Sequence, residues 1–227
     1  MTRWQYILSR ARLTFRWRRS RWQKLRQLSA QSLSFPLLVD ICFAALDLVG
    51  LFDFWEVVSN TLTPGIRSLT ERELRLLKPI FGDSVPYALI RIDERAWVGP
   101  RFGRFCYVSF LTINSWGPMH PATLVHEVVH VWQYTHRGAV YIPRALRAQW
   151  SEMGYNYGGL APLQSATCLE DFNYEQQADI IEDAYRLANS FEAQWVPGRG
   201  AEILPVYYPF LTEMRAVPPA SAGESAD

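Results

Sequence analysis

The chain has 227 residues, of which 49% are apolar and 14% aromatic, and it carries a formal net charge of +1. That composition suits one well-packed domain with an appendage and excludes a globally disordered chain. Cys42, Cys106 and Cys168 are widely spaced and odd in number. They offer neither a disulfide framework nor a CxxC metal pair, and so indicate a reducing compartment.

The charge is unevenly placed. Nine of the 23 basic residues precede the first acid, Asp40, which leaves 14 basic against 22 acidic residues beyond, a net of −8. An acidic body disfavours nucleic-acid binding. Residues 1–28 read as a cationic amphipathic helix, with Trp4, Ile7, Leu8, Ala11, Phe15, Trp22 and Leu25 in an apolar stripe beside the arginines. Such a helix suits a membrane interface; a solvated basic arm and a helix docked on the acidic body by charge are the competing readings.

Residues 35–58 are the most apolar stretch, with Ser34 placed to cap a helix and Pro36 in its first turn. Asp40, Asp47 and Asp53 argue against a transmembrane span, each costing about 2.5–3.5 kcal/mol near a bilayer centre. The acids and the long basic lead-in also argue against a signal peptide. The expectation is a packing or membrane-lying helix, in a protein of the cytoplasm or peripheral on the cytoplasmic membrane, with any export by a route needing no signal peptide.

Residues 61–65 (TLTPG) mark a linker. Thr70-Glu71-Arg72-Glu73 has the form of a capping box and starts a helix expected to stop at Lys78, before Pro79. Residues 87–93 and 104–114 read as strands, the second being richer in β-branched and aromatic residues. Pro121 and Gly138 bracket a helix of about four turns. Residues 142–153 form a further helix, then a Gly-rich aromatic loop, YNYGGLAP, and then a helix from Asp171 or Asn173 to about Asn189. The domains implied are a helical extension over 1–58, an α+β body over 59–215 and a disordered tail over 216–227.

Within the helix after Pro121 lies His126-Glu127-Val128-Val129-His130. Positions four apart share a helix face about 6 Å apart, so both imidazoles can reach one ion at about 2.0–2.1 Å. Glu127, turned about 100° from His126, is placed to act on a metal-bound water. Core burial accounts for the neighbouring valines but not for two histidines flanking a glutamate.

A catalytic zinc needs three protein ligands and an open position. His136 has the spacing of the third histidine in HExxHxxGxxH, but Gln133 stands where that form requires glycine. Glu175, in NYEQQADIIEDAY, is the better candidate, with Asp179 four residues on to accept the spare N–H of a ligand histidine. The competing reading is a solvated acidic face continued by Glu182 and Asp183. Tyr155 or Tyr157 of the aromatic loop could supply an oxyanion donor, with packing the plainer role.

His126-Glu127-x-x-His130 with Glu175-x-x-x-Asp179, preceded by Asn173, resembles the gluzincin (thermolysin-like) metallopeptidase pattern. LTERELRLLKPIFGDSVPYALIRI, TLVHEVVHVWQY and NYEQQADII are similar to small bacterial zincin-like proteins related to Vgr, akin to the metallopeptidase-like core domain of extracellular contractile injection systems. The resemblance covers residues 61–190. It implies an α+β zincin-like domain with a small sheet over the HExxH helix, and Zn2+ held by His126, His130 and Glu175. Glu127 would be the base and Asp179 the group behind the ligands. The expected function is zinc-dependent hydrolysis of a peptide or protein substrate, with Glu127 and Tyr157 as catalytic groups. The alternative is a catalytically silent module or toxin, with residues 1–58 attaching it to a membrane surface or secretion machine.

Overall fold

The computed structural model describes residues 2–96 and 105–216. The expected tail, the start of the strand expected from Arg104, and residue 1 lie outside these.

Three helices come first: α1 (Arg3–Ser29), α2 (Phe35–Leu48) and α3 (Leu51–Leu62). Thr2 opens α1 with a capping box, and Ser34 caps α2 by accepting from the Leu37 N–H. The apolar run expected as one helix breaks at Val49 and Gly50, where Gly50 takes a φ of 76°, and its halves are bent by 66°. No single helix among the described residues is long and apolar enough to cross a membrane; α2 and α3 meet that length and composition only as a bent pair.

The break lets α2 and α3 bring their acids to the arginines of α1. Arg10 is fully buried and pairs with Asp53 at 2.9 Å and with Glu56. Arg21 pairs with Asp53 at 2.5 Å and Asp47 at 3.0 Å, and donates to the Tyr134 hydroxyl at 2.9 Å. Asp40 takes Arg144 and Arg147 at 2.8 and 2.7 Å. The basic segment docks by charge, not on the acidic body but on acids of residues 40–56. The apolar stripe faces outwards: Tyr6, Arg10, Trp17, Arg21 and Leu28 are buried, while Trp4 and Phe15 are each 75% exposed.

A short strand β1 (Arg67–Ser68) leads to α4 (Glu71–Phe81), started by the Thr70 capping box. This helix passes through Pro79, where a stop was expected. In a last turn the proline forgoes a single intrahelical bond, and Gly82 closes the helix on the Lys78 carbonyl. Residues 87–93, expected as one strand, divide into a 3₁₀ turn at Tyr87–Leu89 and β2 (Arg91–Asp93).

The run expected as one strand over 104–114 is a hairpin, β3 (Tyr107–Ser109) and β4 (Thr112–Asn114). The turn contains none of the usual residues, and Phe110 sits at a φ of 62°. Tertiary bonds hold it instead. The Tyr141 hydroxyl accepts from Phe110 N–H and donates to the Val108 carbonyl, while Glu56 accepts from Leu111 N–H and the Thr112 hydroxyl. The four strands order as β1-β2-β4-β3, with β2 and β4 parallel and both outer pairs antiparallel. The edge strand β3 lies along the next helix.

That helix is α5 (Pro121–Arg137), ended as expected by Gly138 at a φ of 73°. It is followed by α6 (Tyr141–Gln149), α7 (Leu160–Ser165) and α8 (Tyr174–Ala188), the last capped by Asn173. A 3₁₀ segment Ala201–Tyr207 and α9 (Tyr208–Arg215), neither of them expected, close the chain against α4 and α8 with Phe210 and Met214 buried. Val125, Val128, Val129, Ile180 and Ile181 join Phe81, Ile92 and Ile113 in one core between the helices and the sheet.

The buried arginine gives the first prediction. Arg10→Met leaves the Glu56 carboxylate buried without its cation, while Asp53 keeps Arg21, and breaking such a pair costs about 3–5 kcal/mol. Denaturant unfolding should show that loss, with partial recovery in the Arg10→Met/Glu56→Gln double variant; a change below about 1 kcal/mol would show that the pairing contributes little.

Candidate metal centre

α5 and α8 pack directly on each other, and the facing turns carry the titratable groups. His126, Glu127 and His130 come from α5; Glu175 and Asp179 from α8. All five are buried. The Glu175 Oε2 atom lies 3.4 Å from His126 Nε2 and 3.4 Å from His130 Nε2. Two atoms bound to one tetrahedral ion at about 2.0–2.1 Å are about 3.3–3.4 Å apart, so this spacing is that of a coordination edge.

Two buried oxygens point the same way. Glu175 Oε2 and Glu127 Oε2 have no hydrogen-bond partner. An unpaired buried carboxylate oxygen is costly, and a cation held by His126, His130 and Glu175 would satisfy the first. The donor set of two imidazole nitrogens and one carboxylate oxygen fits a divalent metal ion.

Each donor is oriented from behind. His126 Nδ1 lies 2.8 Å from Asp179 Oδ1 and 3.3 Å from Glu182 Oε2. Asp179 is fixed by the Trp195 indole N–H at 2.5 Å, and Glu182 by Arg186. His130 Nδ1 lies 2.8 Å from Gln133 Oε1, whose amide nitrogen donates to the Tyr174 carbonyl and Gln177. Gln149 of α6 donates to Glu175 Oε1 at 2.9 Å, which leaves Oε2 turned to the histidines. Asn173 accepts from the Glu175 N–H and so sets where that residue enters the helix. With Nδ1 of each histidine engaged, both Nε2 atoms face Glu175.

His126, Asp179 and Glu182 form a second set of close donors through His126 Nδ1. Trp195 and Arg186 already occupy those carboxylates, so the Nε2 side is the better cation position.

The charges of the cluster act on one another. Burial opposes protonation of His126, but Asp179, Glu175 and Glu182 raise its pKa well above the usual imidazole value. Burial likewise opposes protonation of His130, and Glu175 raises it. The histidines hold the Glu175 carboxyl far below its usual range despite burial. Burial pushes Glu127 up, with His126 and His130 opposing.

The other candidates fall outside this cluster. His136 stacks on Trp132, and its ring nitrogens face the Trp132 and Ala216 carbonyls. Tyr157, expected as an oxyanion donor, is displaced from that role: its hydroxyl donates to Asp183 at 2.6 Å and lies 2.8 Å from the Tyr207 hydroxyl. Its neighbour Tyr155 has its ring 6.0 Å from that of His126, and burial raises its phenol to about 12. Trp195, Gln133, Gln149 and Glu182 were missed as supports. For Gln133 the signal was present, three residues after His130 on the same helix face.

In an alignment 151 residues long that covers 61% of the chain, it is 30% identical to the type VI secretion system spike protein VgrG2b of Pseudomonas aeruginosa. The chain spans 15% of that protein's length. This distant, partial relationship supports the Vgr-related part of the resemblance. No protein-family model matches the chain. No solved structure matches it significantly.

Metal analysis should find one divalent ion per chain, and Glu175→Ala should lose most of it; full occupancy in that variant would place the third ligand elsewhere. Trp195→Phe, which frees Asp179, should weaken metal affinity about 10–100-fold in a chelator competition with the fold unchanged.

Proposed function

We propose that this chain is a zinc-dependent peptidase of gluzincin type, with His126, His130 and Glu175 as ligands and Glu127 as general base. The observation that carries this reading is the single Glu175 oxygen equidistant from two histidine Nε2 atoms, beside the unpartnered carboxylate oxygen of Glu127. A purely structural helix pair gains nothing from burying those groups together.

Zinc held there would supply Lewis acidity towards a peptide carbonyl and lower the pKa of its water to about 7. Glu127 follows His126 on the helix, so its carboxylate takes a proton from the attacking water and returns it to the leaving nitrogen. Gln133, Asp179 and Trp195 keep the ligands in place while charge changes at the centre. Tyr155, whose ring lies 6.0 Å from that of His126, is the tyrosine we assign to a developing oxyanion.

β3 supports a peptide substrate. Among the described residues it is an edge strand of the sheet and it lies against α5, so an extended chain pairing with its outer side would run beside the site. The likeness to a spike protein favours one further point: association with a secretion machine, in which the chain serves as an effector or a catalytically silent module.

Glu127→Gln separates these readings. It should keep its metal and its melting temperature while cleavage of a peptide library falls about 10²–10⁴-fold. Undiminished turnover in that variant would remove Glu127 from the mechanism, and no turnover by the metal-loaded wild type would leave the silent module.

A further inference from the structure

The first three helices carry a feature the metal centre does not use. Around α1, Trp4, Leu8, Phe15 and Trp22 fall about 160–200° from the buried Tyr6, on the outward face. Arg12, Arg19 and Arg26 fall about 200–240° round, beside them, and are exposed. A groove of about 530 Å³ runs between α1 and α3, with Phe15 and Arg18 on one wall and Val49, Phe54 and Val57 on the other. A second concavity, lined by Phe15, Arg18, Arg19, Trp22 and Leu48, continues it. Phe54 is 68% exposed and Val49 76%.

The charge on this layer is one-sided. Arg3, Arg12, Arg16, Arg18, Arg19 and Arg26 are exposed, whereas all four acids before residue 67, Asp40, Asp47, Asp53 and Glu56, are buried. The surface therefore offers cations and aromatic or aliphatic groups and no counter-charge of its own.

We propose that the outward face of α1–α3 is a docking surface for an anionic lipid bilayer, lying in the headgroup region without crossing it. Arginines meet lipid phosphates, tryptophans suit the boundary between headgroup and acyl chain, and Phe15 and Phe54 enter the acyl region. A symmetric contact with a second copy would set arginine against arginine, which complementary interfaces avoid. A nucleic acid would use the arginines but leave the aliphatic groove exposed. A lipid surface takes both the charge and the apolar groups.

The test is flotation of the full chain with vesicles. Equal mixtures of phosphatidylglycerol and phosphatidylcholine should bind it, and phosphatidylcholine alone at least tenfold more weakly. A basic side chain near such a surface strengthens attachment about fivefold, so Arg18→Gln/Arg19→Gln should weaken it about 30-fold. Phe15→Ser/Phe54→Ser should weaken it about a hundredfold. Both pairs are exposed, so melting temperature and metal content should not change. Absence of binding to the mixed vesicles overturns the proposal, as does binding that either double variant leaves intact. A dimer dissolved by Phe15→Ser/Phe54→Ser without vesicle binding would assign the face to a second copy. Duplex DNA binding indifferent to that variant, again without vesicle binding, would assign it to a polyanion. Loss of peptidase activity in Glu127→Gln bears on none of these outcomes.

Discussion

The pairing of α5 with α8 is the constraint on which the candidate centre depends. Val129, Ala178 and Ile181 of the two helices share one core, and beside the contacts of the histidines with Glu175, Asp179 and Glu182 a further polar strut crosses between them: Gln133, which joins His130 to the Tyr174 carbonyl and Gln177. A buried amide with all these bonds made rigidifies an interface that aliphatic packing alone would leave free to slide. A shift of one helical turn would carry Glu175 about 5.4 Å along the axis, beyond the reach of either histidine. The same strut fixes the tautomer of His130, so packing register and ligand geometry are decided together.

The N-terminal layer reaches this centre through the hairpin. Arg10 neutralises Glu56, Glu56 accepts from the Leu111 N–H and the Thr112 hydroxyl, and those bonds hold the turn between β3 and β4. Tyr141, at the start of α6, holds the other side of the turn. Phe110, strained at a positive φ, stacks between Phe52 of α3 and Tyr134 of α5. The edge strand beside the candidate centre is thus positioned by residues 10 and 56. A segment that resembles an appendage in composition acts here as the support of the sheet.

What could be read from the sequence follows how local each signal was. The HExxH helix, its Pro121 start and Gly138 stop, the Thr70 and Asn173 caps, and the likelihood that Glu175 and Asp179 face the histidines all rest on spacings of a few residues, and they appear in the structure. The hairpin was invisible because its turn is made by Tyr141 and Glu56, far away in sequence. Tyr155 and Tyr157 could not be told apart, since only the fold shows that Tyr157 is taken by Asp183 and Tyr207. The role of Trp195 depends on a loop returning to α8 after the helix has ended, which no helical periodicity records.

The orientation of α1 shows why an apolar stripe need not be the buried one. Hydrophobic burial alone favours turning Trp4, Phe15 and Trp22 inwards, at about 1.5–3 kcal/mol for each large side chain. Rotating the helix that way withdraws Arg10 and Arg21 from Asp47, Asp53 and Glu56. Each of those acids would then be a buried, unpaired charge, at several kcal/mol apiece. Three uncompensated carboxylates outweigh three exposed aromatic rings. The acids in the apolar run therefore select the arginine face of α1 for the interior, and the aromatic face is left on the surface as a direct consequence of that choice.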